Sequence, residues 1–366
     1  MPVSQPLRIC FAGWADHVHL ERWAGYFARS GHEVGVFSFS DTGRYPESVV
    51  QSRIAFRDRG AFWRRLHLRW LLARFRPQIV HIHWAAFAHY FVALWDGPLV
   101  ITAWGSDVYR LAEQPPAVRQ QTRAAFERAD AITCDSDDLA AAIAQLAPSC
   151  ASRITVIQWG VDTDLFSPAV DATPLAKELN IENRPVIFSA RNFMPIYNQD
   201  VILRAFALVR QTIPEAVLIM KNYNGRPDYL AAMRILVSEL GLEDSVRIID
   251  SIPYEQMPQI YALSSATVSI PSSDATPMAL LEAMACGSVP VFSDLPSLRE
   301  WIASGENGFL VDCKDAAGLA TCITNTISNK ELCKRIASTN RNLVGTRASQ
   351  HFWMGKVDQL YRLLLS

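Results

Sequence analysis

The chain has 366 residues, half of them hydrophobic, and a formal net charge of −1. That length suits two domains with separate cores, and the balanced charge gives no general attraction to nucleic acid. Seven cysteines at scattered positions without a C-x-x-C read as reduced thiols rather than a disulfide frame or zinc site; Arg8 interrupts the short N-terminal apolar run, which argues against a signal peptide, and no stretch of ~20 apolar residues spans a membrane, so a cytoplasmic location is expected.

Leu7 to Ala12 predicts a buried parallel strand, followed by Gly13, a helix over 19–30 and a strand from Glu33 to Phe39. This βαβ unit opens a doubly wound sheet. It lacks G-x-G-x-x-G, so a dinucleotide site is not supported. His19 lies where the loop meets the helix, either as a capping or solvated side chain or as a substrate contact.

Residues 53–76 are the most basic stretch: eight arginines (Arg53, Arg57, Arg59, Arg64, Arg65, Arg69, Arg74, Arg76) against one acid, Asp58. Trp63, Leu66, Trp70 and Leu71 interleave with them at helical spacing. Such a helix either packs on a core with a solvated arginine face or lies on an anionic membrane surface.

The run QIVHIHW, Gln78 to Trp84, predicts a strand with His81 and His83 on one face. No third metal ligand accompanies them, so polar packing or a substrate contact is the reading. A strand from Leu99 to Ala103 precedes Trp104-Gly105-Ser106-Asp107. Trp104 reads as an aromatic packed between helices or as a stacking face for a ligand, and Asp107 as an acid close beside it. A helix over 115–129 and a strand from Ala131 to Cys134 follow. Asp135-Ser136-Asp137 has a D-x-D spacing, but Ser136 before two acids reads as the N-cap of an alanine-rich helix ending at Leu146.

After a strand from Arg153 to Gln158, the proline-rich, polar stretch Ser167 to Arg184 reads as a hinge. Pro185 to Ala190 opens the second domain as a strand with Arg191 at its end, and Lys221 follows a strand from Ala216 to Met220. Helices are predicted from Asp200 to Arg210 and Tyr229 to Leu240, and strands from Val246 to Ile249 and Thr267 to Ile270.

The most informative stretch is PSSDATPMALLEAMACGSVP, residues 271–290. Thr276 reads as an N-cap, Pro277 as the first helical residue and Gly287 as the stop. A helix N-terminus favours phosphate. Asp274 and Glu282, with seven residues between them, suit hydroxyls of a sugar or ribose instead. The last segment, His351 to Leu365, predicts a helix with Trp353, Val357, Leu360, Tyr361 and Leu364 on one side.

This stretch resembles the E-x7-E motif of the retaining family-4 glycosyltransferases, and LLEAMACGSVPV matches closely. RICFAGWADHVHLERWAGYFARSGHEV and WGVDTDLFSP resemble the family's opening and inter-domain entry, so the likeness runs over the whole chain. It implies the α/β GT-B fold: two Rossmann-like domains facing across a cleft, 1–167 with a C-terminal helix (350–366) crossing back, and 168–349. It implies transfer of a sugar from a nucleotide-sugar donor to a glycan or lipid-linked acceptor, without metal or other cofactor. Asp274 then contacts the donor sugar, Glu282 the ribose, and Arg191 the diphosphate, with Thr276, Pro277 and Gly13 around the donor. His19, Trp104 and Asp107 fall on the acceptor side. Three positions depart from the family pattern. Asp274 replaces Glu and is shorter by one bond, ~1.5 Å. Trp104 stands at the usual histidine of T-x-H-G. Tyr197 stands at or near the usual phosphate-binding lysine, which leaves Lys221 as the candidate second cation. A GT-B epimerase and a non-catalytic sugar-nucleotide or glycan-binding relative remain as alternatives.

Overall fold

Short apolar runs that alternate with helical segments demand parallel strands covered by helices. The computed structural model, which describes residues 5–40, 42–54, 60–250 and 252–366, has that organisation twice over. The chain divides into two units, Met1–Ile157 with Trp353–Ser366, and Gln158–Phe352. The break at 157/158 precedes the hinge read from the sequence by about ten residues. The polar 167–184 stretch lies inside the second unit and includes a short helix.

The first unit has strands β1 (Arg8–Ala12), β2 (Glu33–Ser38), β3 (Val50–Arg53), β4 (Ile79–His83), β5 (Leu99–Thr102), β6 (Ala131–Cys134) and β7 (Ile154–Val156), in the order β3-β2-β1-β4-β5-β6-β7. Its helices are α1 (Val18–Arg29), α2 (Ala61–Phe75), α3 (Ser106–Tyr109), α4 (Pro116–Arg128) and α5 (Asp137–Leu146). The second unit has β8 (Val186–Ser189), β9 (Val217–Lys221), β10 (Val246–Ile249), β11 (Ser264–Ser269), β12 (Val289–Ser293) and β13 (Phe309–Val311), in the order β10-β9-β8-β11-β12-β13. Its helices are α6 (Thr173–Glu178), α7 (Gln199–Thr212), α8 (Pro227–Glu239), α9 (Met257–Leu263), α10 (Met278–Cys286), α11 (Pro296–Arg299), α12 (Ala316–Ser328) and α13 (Lys330–Arg347); α14 (Gln350–Leu365) runs back into the first unit. Every strand pairing among the described residues is parallel. Both orders reverse after the first strand of the unit, between β1 and β4 and between β8 and β11. A crevice opens at such a switch point, beyond the strands' C-terminal ends.

In the second unit, Ile202 and Phe206 of α7 and Leu319 and Ile323 of α12 pack with Leu218, Val268 and Val291 of the sheet. In the first, α14 buries Met354, Val357 and Tyr361. The Tyr361 ring lies 5.3 Å from that of Phe27. Its hydroxyl meets His81 Nδ1 at 2.5 Å, while His81 Nε2 meets Thr102 Oγ1 at 2.6 Å. Both ring nitrogens of this fully buried histidine are thus engaged, and burial holds its pKa well below the ordinary value. The pair His81/His83 therefore serves internal packing at its first member. Ser136 caps α5 by accepting from Leu139 N at 3.2 Å, which accounts for the D-x-D spacing.

Two boundaries differ from the sequence reading at positions that matter. Lys221 is the last residue of β9 rather than a loop residue. Helix α10 begins at Met278, with Pro277 as the capping residue in extended conformation. Thr276 is not the cap: its Oγ1 accepts from the Trp301 indole at 3.3 Å. Gly287 does end the helix, at φ +83°, where a residue with a Cβ is strained.

Candidate active site

The loops after β8 and β11 meet at the switch point of the second sheet. Arg191, two residues beyond β8, reaches Asp274, beyond β11, with Nη2 and Oδ2 3.0 Å apart. Their side chains retain 19% and 16% exposure. The contact is a charge pair without hydrogen-bond alignment, and Asp274 Oδ2 is buried with no hydrogen-bond partner. Burial pushes the Asp274 carboxyl up and Arg191 pulls it back. Burial would lower the Arg191 pKa, but Asp274 and Tyr197 outweigh it, so the guanidinium stays charged. An ion pair with an unfilled acceptor lone pair can take a hydroxyl without first breaking a hydrogen bond.

Tyr197 lies beneath this pair, its ring centroid 4.2 Å from Arg191 Cζ. The position where the family pattern calls for a lysine thus supplies an aromatic face to the neighbouring cation. Asn198, at φ +48°, joins the two loops: its Nδ2 donates to Ile270 O at 2.7 Å and to Ser272 Oγ at 3.0 Å. Ser272 N donates back to Ile196 O at 2.9 Å. The Asp274 carbonyl accepts from Ser297 Oγ at 2.7 Å, and Asp274 Oδ1 from Ala275 N at 3.1 Å.

Glu282 is buried midway along α10, where Tyr261 Oη of α9 donates to its Oε2 at 3.0 Å. Burial and then Glu282 raise the Tyr261 pKa well above its ordinary value, which keeps that donor protonated. Lys221 is half-buried; burial lowers its pKa, while Glu282 raises and Arg191 lowers it. Its charge therefore interacts with both members of the cluster. Lys221 thus links Glu282 to Arg191, which pairs with Asp274, and Thr276 and Pro277 are buried at the start of α10.

The first-unit candidates form a different arrangement. His17 caps α1, accepting from His19 N at 3.3 Å; His19 is therefore the second residue of the helix. Trp104 packs against both imidazoles, with centroids 4.5 Å from His17 and 5.3 Å from His19, and its indole donates to His83 Nδ1 at 3.3 Å. Burial lowers the His17 pKa to about 4, with Asp16 opposing, so the His17 imidazole is neutral at pH 7. Asp107 is engaged from two loops: Oδ2 accepts from Ala85 N at 2.7 Å and Oδ1 from Trp104 N at 2.9 Å. Burial lifts its pKa to about 6 against those hydrogen bonds. These bonds fix Trp104 and the turn after β4. At Gly13 an added Cβ would lie 3.0 Å from His83 O, so glycine allows β1's loop to close on the end of β4.

Family models match both units: "Glycosyltransferase Family 4" over residues 17–165 and "Glycosyl transferases group 1" over 171–343. A D-inositol 3-phosphate glycosyltransferase of Mycolicibacterium smegmatis is 29% identical over 68% of this chain and 56% of its own length. A GDP-mannose-dependent alpha-(1-6)-phosphatidylinositol monomannoside mannosyltransferase of the same organism is 27% identical over 46% of each chain. The chain spans about half the length of these curated relatives. Among solved structures, a sucrose-phosphate synthase from Thermosynechococcus elongatus superposes with a TM-score of 0.84 at 18% identity, covering 98% of this chain and 99% of that one. Anabaena HepE, solved in complex with UDP and glucose, superposes at 0.83 with 17% identity over 97% and 99%.

The two halves of the chain thus each match a glycosyltransferase domain model, and the fold is that of the GT-B structures.

Several residues around the second-unit cluster are absent from the sequence reading. Tyr261 and Asn198 come from a short helix and a turn, and only the fold shows which loops they join. The signal for Tyr197 is in the sequence, as a lost lysine, but not its stacking on Arg191. In the basic stretch, Arg57, Asp58 and Arg59 lie outside the described residues. Over the rest, α2 turns Leu68, Leu71 and Leu72 inward and leaves Phe62, Trp63, Leu66 and Trp70 half or more exposed, Phe62 at 70%. By 100° steps these four share one outward stripe, bordered by the exposed Arg65 and Arg69 on one side and Arg74 on the other. Among the described residues no helix is long and apolar enough to cross a membrane.

Proposed function

We propose that this glycosyltransferase moves a sugar from a nucleotide-sugar to a hydroxyl of a glycan or lipid-linked acceptor, with retention at the anomeric carbon, while docked on an anionic membrane surface. The observation that carries it is the Arg191–Asp274 pair with Lys221 and Glu282 at the second sheet's switch point. Glu282 takes the ribose hydroxyls and Asp274 Oδ2 a donor-sugar hydroxyl. Arg191, Lys221 and the first amides of α10 take the diphosphate. In the transfer the anomeric C–O bond to phosphate breaks with its electron pair going to the diphosphate. The acceptor oxygen bonds to that carbon, and its proton passes to the departing phosphate oxygen. Fixed cations that stabilise the departing charge lower the barrier most, and in this reading they do so without a metal ion. The relatives' names, an inositol phosphate glycosyltransferase and a GDP-mannose-dependent enzyme, together with a fold neighbour solved with UDP-glucose, support a nucleotide-sugar donor.

The test is calorimetric titration with UDP, GDP, ADP and CMP, then NMR of the product formed from the matching nucleotide-sugar in EDTA. One nucleotide that binds and an axial-to-axial or equatorial-to-equatorial product support the reading. A sugar isomer formed without acceptor points to an epimerase. Binding without nucleotide release points to a non-catalytic relative.

Tyr197→Leu removes the face beneath Arg191. At ~0.5–2 kcal/mol for such a contact, affinity for the nucleotide falls roughly 2–30-fold, while Tyr197→Phe stays near the wild type. Equal losses in the two variants would show that the hydroxyl, not the ring, matters.

The outward stripe of α2 is the membrane contact, chosen by charge: arginines flank apolar side chains, and each basic residue near an anionic surface adds ~1 kcal/mol. In vesicle flotation the protein binds phosphatidylserine-containing vesicles and not neutral ones. Trp63→Ser with Trp70→Ser reduces binding roughly tenfold or more, as expected for lost apolar burial. Unchanged flotation would remove membrane docking and leave the transfer chemistry standing.

A further inference from the structure

The C-terminal ends of β1, β2 and β4, with α2 and α4, enclose a cavity of about 280 Å³ in the first unit. Its walls are aromatic: Trp14, Phe39, Trp84, Phe87 and Tyr90. It sits at the β1/β4 switch point, the place in such a sheet where ligands bind. Three features distinguish it from a gap in packing.

Trp84 has φ +73° and ψ +108°, a conformation that an aromatic residue adopts only at a cost of ~1–3 kcal/mol. Its N–H is held by Thr102 O at 3.0 Å. The strain directs the indole between Trp14 and Trp104, each 5.9 Å away centroid to centroid. Trp14 Nε1 is buried with no hydrogen-bond partner. Among the described residues, half-buried Arg64 is the cation that lines the cavity, and no carboxylate lines it. Its guanidinium lies 5.2 Å from the Tyr90 ring centroid and 5.9 Å from that of Phe39, and its Nη1 makes one long bond to Tyr90 Oη, 3.4 Å. His89 beside it is kept neutral by burial, with Arg64 acting in the same direction after the opposing bond to Ala86 O.

Aromatic faces suit the apolar face of a saturated ring, an indole N–H suits a ring hydroxyl, and an unpaired guanidinium suits an oxyanion. The volume is at the small end for ligand pockets and fits a single ring better than an oligosaccharide. We infer that this cavity is the acceptor subsite and binds a pyranose or cyclitol ring that carries one oxyanion, such as a phosphate. That the ligand is the acceptor rests on the transfer reading above; the ring-plus-anion chemistry does not.

The experiment is tryptophan fluorescence of the full chain titrated with glucose 6-phosphate, inositol 1-phosphate, octyl glucoside 6-phosphate, glucose and inorganic phosphate. At least one ring phosphate quenches the fluorescence, glucose binds at least tenfold more weakly, and phosphate alone leaves the signal unchanged. Arg64→Gln weakens the ring phosphate roughly 10–100-fold, the range for a lost charge-assisted hydrogen bond, and Arg64→Lys recovers part of it. Tighter binding of the octyl compound assigns the anion to a lipid headgroup, and equal binding to a soluble sugar phosphate; both keep the site. The inference is overturned if no ring phosphate quenches, if inorganic phosphate does as well as the sugar, or if Arg64→Gln changes nothing. Nucleotide titration of the same sample reports the second unit separately. Its failure with the Arg64 result intact would sink the transfer reading alone.

Discussion

Arg191→Ala lowers kcat by roughly 10²–10³-fold, the loss typical of removing one preorganised group aimed at developing charge. Donor KM moves far less, because the departing diphosphate gains charge mainly in the transition state. Arg191→Lys restores only part of the rate. A lysine keeps the charge, but it has no planar guanidinium to stack on Tyr197 while also meeting Asp274. The measurement is steady-state kinetics at saturating acceptor. A kcat unchanged within threefold would place the charge-stabilising work on Lys221 and the α10 amides instead.

Glu282→Ala raises the nucleotide Kd by roughly 10–100-fold, as expected when a buried carboxylate that binds ribose hydroxyls is removed. The same change leaves the buried Tyr261 hydroxyl without its 3.0 Å acceptor and costs ~1–3 kcal/mol of stability. Glu282→Gln separates the two effects. It keeps an acceptor for Tyr261 and so keeps most of the stability, yet it weakens the nucleotide because a neutral amide accepts less strongly than a carboxylate. Calorimetry for Kd and thermal unfolding for stability read the two arms. If Gln and Ala weaken the nucleotide equally little, Glu282 is a structural partner of Tyr261 and no more.

The parts of the fold that were legible in the sequence are those where one local signal suffices. Apolar runs such as Leu99 to Ala103 and Pro185 to Ala190 can only be buried strands, and each strand lies within that span. Asp274, Glu282 and Gly287 were placed by a motif that spans a loop and a helix. What periodicity could not decide was the facing of α2. Leu68, Leu71 and Leu72 compete with Phe62, Trp63, Leu66 and Trp70, so both sides of that helix are apolar and the pattern has no preferred direction. The short strands β3 and β13 were also invisible: VQSR and FLV are too short to show alternation, and only their neighbours in the sheet define them. The pairing of Arg191 with Asp274 and the engagement of Asp107 by Ala85 join loops that follow different strands. Spacing along the chain carries no information about such contacts.

The contact between His81 and Tyr361 spans 280 residues. During synthesis, at about 5–20 residues per second, the histidine waits roughly 15–60 s for its partner. In that interval the first unit's sheet is complete but α14 has not yet been made. Gln158–Phe352 is continuous in sequence and can fold on the ribosome first. The order of folding therefore runs against the order of translation: the unit whose synthesis starts first is the last to close its core, and loss of α14 would damage the first unit.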